Sequence, residues 1–137
     1  MPGRQLTQLA GSSMGGLISF YGSIHFAETF GGAGIFSPAL WVVDDAMYEL
    51  KQVAEKNKHL PQRFYFYGGA AEGSDMLTHI SRITGLLKEL PHFKINVEMD
   101  AEGEHSEFYW RNKFPNYYLW LKEWDKDNTD LPPVQTV

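Results

Sequence analysis

The stretch LAGSSMGGLISFY, Leu9 to Tyr21, decides how the chain is read. A short apolar run enters a turn of glycines and serines, and a helical pattern begins directly after it. Within it, Gly11-Ser12-Ser13-Met14-Gly15 fits G-x-S-x-G, the pentapeptide that holds a nucleophile on a sharp strand-to-helix turn. Such a turn is tight and strained, so the serine needs small neighbours. Glycine at 11 and at 15 is expected to let strand and helix approach closely. Ser13 would then project its hydroxyl above the sheet, and the Met14 N–H at the helix N-terminus would face a developing oxyanion. The competing reading is a Gly/Ser loop without chemistry. The strand–turn–helix setting favours the first.

Outward from this turn the segments alternate. RQLTQLA (4–10) reads as a strand. GGLISFYGSIHFAETF (15–30) carries apolar residues at helical spacing, with Gly31-Gly32 as its expected C-cap. AGIFSP (33–38) reads as a buried strand stopped by Pro38. DDAMYELKQVAEKNKH (44–59) is an amphipathic helix with Asp44 and Asp45 near its start and lysines near its end, as the helix dipole favours. RFYFYGG (63–69) is an aromatic strand. SDMLTHISRITGLLKEL (74–90) is a helix with Ser74 as N-cap and Pro91 beyond its end. FKINVEMD (93–100) is a strand, and HSEFYWRNKFPNYYLWLKEW (105–124) a helix broken near Pro115. Residues 1–124 form the expected domain and 125–137 a loose tail. The order β-α-β-α-β-α-β-α predicts an α/β fold: a mostly parallel sheet of about four strands with helices on both faces. Functional residues are then expected at the carboxyl ends of the strands.

That rule selects partners for Ser13. A nucleophilic serine needs a base, and the base needs an orienting acid, in the chain order Ser, acid, His. Glu72 lies just past RFYFYGG and is the favoured acid. Asp75 is the reserve, and both also suit the start of a helix. His105 sits in the polar loop after the last strand and is the expected base. His25, His59, His79 and His92 fall within helices or at their ends, or before a strand. Glu102, Glu104, His105 and Glu107 form an acidic cluster without H-E-x-x-H spacing, so no metal site is expected. Most aromatics of FYWRNKFPNYYLW are expected to pack on the sheet. Trp41 and Met14 are candidate pocket walls.

Bulk properties narrow the class. The 137 residues are 43% hydrophobic and 15% aromatic, enough for one packed core. The net charge of -5 and the lack of a basic patch argue against nucleic acid as partner. There are no cysteines, which excludes disulfides, thiolate nucleophiles and zinc–thiolate sites. No apolar run is long enough to cross a bilayer and no signal-peptide pattern opens the chain, so a cytoplasmic location without membrane contact is expected.

Taken together, LAGSSMGGLISFYGSIHFAETFGGAGIFSPALW, YGGAAEGSDM and GEHSEFYWRNKFPNYYLWL resemble the esterase family of α/β-hydrolases that includes the enterochelin (siderophore) esterases and relatives of S-formylglutathione hydrolase. The resemblance runs from about Leu6 to Trp124 and matches the C-terminal half of such an enzyme. It implies a serine carboxylic-ester hydrolase acting through an acyl-enzyme on a small acyl or siderophore-type ester, without a cofactor. Ser13 matches the family nucleophile, His105 the base and Glu72 the acid. Family members carry further strands before the elbow, with a loop that supplies a second oxyanion N–H. The strand before Ser13 would then be an edge, and self-association or a complementing chain is expected there. The alternative is a half-hydrolase that is weak or inactive without such a partner.

Overall fold

The computed structural model describes residues 3–42, 46–73 and 75–127. Four strands form one parallel sheet in the order β1 (Gln8–Ser12), β2 (Gly32–Phe36), β3 (Gln62–Gly69) and β4 (Phe93–Asp100). Four helices alternate with them: α1 (Met14–His25), α2 (Ala46–Lys56), α3 (Met76–Leu87) and α4 (Glu107–Asp127). Spatial order equals chain order, so β1 and β4 are the outer strands of the described sheet. The α/β expectation of four parallel strands flanked by helices is met.

Strand periodicity sorts the side chains of β3 onto two faces. Phe64 and Phe66 enter a core with Ala33 and Ile35 of β2, Leu17, Phe20 and Ile24 of α1, Leu50 of α2, and Ile80 and Ile83 of α3. Phe20 meets Phe64 and Phe66 edge to face, at 5.8 and 5.5 Å between ring centres. Tyr65 and Tyr67 point the other way and pack with Phe36 against Tyr117 and Leu121 of α4. Three helices therefore cover one face and a single helix covers the other.

Several boundaries differ from expectation for identifiable reasons. A 3-10 turn takes up Arg4–Leu6, so the first strand begins at Gln8 and reaches Ser12. Helix α1 stops at His25 with Phe26 as its C-cap, not at Gly31-Gly32. The backbone turns at once, with the Thr29 and Phe30 N–H groups both donating to the Phe26 carbonyl. Gly32 instead opens β2, where a Cβ would collide with the Arg63 backbone. Helix α4 does not break at Pro115. The proline costs one bond to the Arg111 carbonyl, but Arg111 is exposed, where water can take that carbonyl. Trp110 before the proline and Tyr117 after it pack on the same sheet face. The helix continues to Asp127, into the stretch expected to be loose. Asp44, Asp45, the Ser74 cap and residues 128–137 lie outside the described residues. Among those described, no helix is long and apolar enough to cross a membrane.

Candidate active site

The chemistry gathers at the carboxyl ends of the four strands. Ser13 follows β1 and stands at the N-cap of α1, with φ 55° and ψ −120°. That is the strained turn the pentapeptide demands. Its N–H is fixed to the Phe36 carbonyl at 2.9 Å, and its carbonyl accepts from Leu17 and Ala39. The glycine requirement falls differently from expectation. A Cβ on Gly11 would sit 2.5 Å from the Gly15 carbonyl oxygen, and one on Gly16 would sit 3.0 Å from that of Phe36. A Cβ on Gly15 would meet nothing within 4 Å. The close approach thus depends on Gly11 and Gly16, and Gly15 contributes only its backbone.

His105 comes from the loop after β4, which several contacts pin. The Tyr67 hydroxyl donates to Asp100 at 2.9 Å, and Asp100 also accepts the Glu102 N–H at 3.0 Å. The Ala71 N–H donates to the Gly103 carbonyl at 2.9 Å. Gly69 and Gly103 touch so closely that a Cβ on Gly69 would collide with the Gly103 backbone. Burial, then the Asp100 hydrogen bond, push the Tyr67 phenol far above its ordinary range, so it remains a donor. Burial works against the Asp100 carboxylate, but the N–H of Glu102 and the hydroxyl of Tyr67 outweigh it and hold its pKa below the usual value.

In this setting the His105 Nε2 lies 2.9 Å from the Ser13 Oγ. Its Nδ1 lies 2.5 Å from the Glu72 Oε1. A proton on Nδ1 directed at the carboxylate leaves Nε2 as acceptor for the serine hydroxyl. The Glu72 side chain is fully buried, whereas 36% of the His105 side chain is open to solvent. Asp75, the reserve acid, is exposed at the N-cap of α3; the carboxylate against the His105 ring is that of Glu72. Met14 opens α1, so its N–H has no intrahelical acceptor. Trp41 is half exposed, with its ring 6.4 Å from that of His105, and it lines a shallow hollow with Glu72 and Asp75. Among the described residues, no group of three or more acidic or histidine side chains is arranged as metal ligands.

Two residues escaped the sequence reading. Ser37 is fully buried and donates to the Glu72 Oε2 at 2.7 Å. Trp110 of α4 donates its indole N–H to the Ser37 Oγ at 2.8 Å and packs edge-on against His105 at 4.9 Å between ring centres. Ser37 follows β2, so the carboxyl-end rule pointed to it as plainly as to Ser13. A cleft of about 510 Å³ opens beside β1, lined by Gly11, Ser12, Phe36, Trp110, Arg111 and Phe114 among others.

The family model described as "Putative esterase" matches residues 2–121. The chain belongs to this family. No curated protein sequence matches this chain. Solved structures do. An enterobactin esterase from Shigella flexneri superimposes with a TM-score of 0.71 at 20% identity, over 90% of this chain and 33% of that one. A siderophore hydrolase from Aspergillus nidulans gives 0.66 at 12%, over 92% and 50%. A ferulic acid esterase gives 0.65 at 14%, over 88% and 52%. At these identities the likeness is one of fold. The chain spans about a third of the enterobactin esterase and about half of the other two.

Proposed function

We propose that this chain is a serine carboxylic-ester hydrolase in which Ser13 is the nucleophile, His105 the general base and then acid, and Glu72 the orienting acid. The observation that carries this reading is the unbroken line from the Ser13 Oγ through both His105 nitrogens to a buried carboxylate. The Ser13 oxygen attacks the ester carbonyl as its proton passes to Nε2. The Met14 N–H at the head of α1 supports the oxyanion. Collapse releases the alcohol, which takes the proton from His105, and leaves Ser13 acylated. Water, deprotonated by the same nitrogen, then frees the acid. Glu72 holds the imidazole in the required tautomer and stabilises the imidazolium. The cleft walled by Phe36, Trp110 and Phe114 reaches Gly11 and Ser12, next to Ser13 in the chain, and would suit an apolar or aromatic acyl group. Siderophore-type esters fit this description, and among the structural relatives one is by name an enterobactin esterase and another a siderophore hydrolase.

Hydrolysis of p-nitrophenyl acetate tests the reading. The wild-type chain should release p-nitrophenol with an initial burst from acylation. Ser13→Ala and His105→Ala should abolish the burst. A burst that survives Ser13→Ala would refute the assignment.

A further inference from the structure

The Ser13–His105–Glu72 line continues into the fold, and the continuation has the geometry of a device rather than of packing. Glu72 uses its two oxygens differently. Oε1 faces His105, whereas Oε2 accepts two donors, the Gly69 N–H and the Ser37 hydroxyl, each at 2.7 Å. Trp110 determines which way the Ser37 hydroxyl points. An indole N–H can only donate, so at 2.8 Å from Ser37 Oγ it makes that oxygen an acceptor. The single hydroxyl proton of Ser37 is then left for the carboxylate. With two donors on Oε2, the carboxylate cannot turn Oε1 away from the imidazole without breaking both bonds.

A second observation is independent of these contacts. Among the described residues, the two non-glycine positions with positive φ are Ser13 at 55° and Ser37 at 46°. Such backbone is strained and persists only where its surroundings impose it. Ser37 also precedes Pro38, which narrows its backbone further. Its N–H is bound to the Tyr67 carbonyl at 2.8 Å, which keeps it between β2 and β3.

Resting on the hydrolase reading above, we propose that Ser37 and Trp110 are positioning residues: they orient the Glu72 carboxylate toward His105, and through it the base toward Ser13. Trp110 acts on the acid through Ser37, and its ring lies beside that of His105. Helix α4 thereby becomes part of the active-site support.

The test compares Ser37→Ala and Trp110→Phe, the second of which keeps an aromatic ring beside His105 while removing the indole N–H donor and the rest of the indole. The first readout is proton NMR of the strongly hydrogen-bonded His105 Nδ1–H, assigned by its loss in His105→Ala. The second is the rate at which a fluorophosphonate labels Ser13, measured in the wild-type and Glu72→Gln backgrounds. Ser37→Ala should slow labelling about 10- to 100-fold and Trp110→Phe about 3- to 10-fold, as expected for losing one charge-assisted bond or its support. The Nδ1–H signal should weaken or move upfield in both. In the Glu72→Gln background neither substitution should slow labelling further, because the group they act through is already altered. Equal slowing in both backgrounds would overturn the proposal and leave a structural role. Labelling and the Nδ1–H signal both unchanged in folded variants would overturn it while the hydrolase reading stands. A wild-type chain that takes no label at Ser13 would overturn both. If Ser37→Ala does not fold, Trp110→Phe carries the same comparison.

Discussion

The two faces of the sheet are built on opposite plans. The face under α1, α2 and α3 is a dry core of Phe20, Ile24, Ile35, Phe64, Phe66, Ile80 and Ile83, all essentially without solvent exposure. The face under α4 is made of rings that carry polar ends: Tyr65 donates to Glu98 at 2.7 Å, Tyr67 to Asp100 and Tyr117 to Gln8. The dry face needs only shape and apolar area. The α4 face ties its hydroxyls to β1 and to β4, whose end leads into the loop that carries His105, and its helix supplies Trp110. Stability is thus expected to reside mainly on one face and the precision of the site on the other.

Alkaline pH should separate the faces most strongly. Burial raises the phenols of Tyr65, Tyr67 and Tyr117 far above their ordinary value, with bonds to Glu98 and Asp100 adding to the first two. A raised phenol pKa contributes stability that is complete below about pH 10 and is lost as the pH climbs beyond it. Absorbance at 295 nm should show these tyrosines ionising only as the fold gives way. Early, independent ionisation would mean the α4 face is open.

Next in size is Phe66→Ala on the dry face, which should cost about 3–5 kcal/mol in urea unfolding. A cost below about 1 kcal/mol would break the contrast between the faces. Gly11→Ala should cost about 1–3 kcal/mol because its methyl meets the Gly15 backbone, whereas Gly15→Ala should be neutral or gain up to about 1 kcal/mol from helix propensity. Equal costs would return the glycine requirement to the pattern read from the pentapeptide. Tyr67→Phe should cost only about 1 kcal/mol yet lower ester hydrolysis several-fold by loosening the His105 loop. Unchanged hydrolysis would show that the Asp100 bond does not hold the base.

Much of this was legible in the residues because it is local. The elbow is a contiguous pentapeptide, β4 runs from Phe93 to Asp100 as FKINVEMD was read, and Glu72 and His105 stand just past strand ends. What was not legible depends on contacts between distant segments. Ser37 and Trp110 are 73 positions apart, and their bond exists only once α4 lies across β2. Gly16, not Gly15, meets the neighbouring strand because the partner is the Phe36 carbonyl, which the motif does not contain. Pro115 looked like a helix break because its local cost is visible, while the packing of Trp110 and Tyr117 that offsets it is not.

The central claim is that Ser13 is an activated nucleophile. It is tested most directly by treating the folded chain with a fluorophosphonate and weighing it intact, beside Ser13→Ala. The account predicts one adduct on the wild type, mapped to the peptide that contains Ser13, and none on the variant. No adduct on folded wild type, or an adduct that persists in Ser13→Ala, would contradict it.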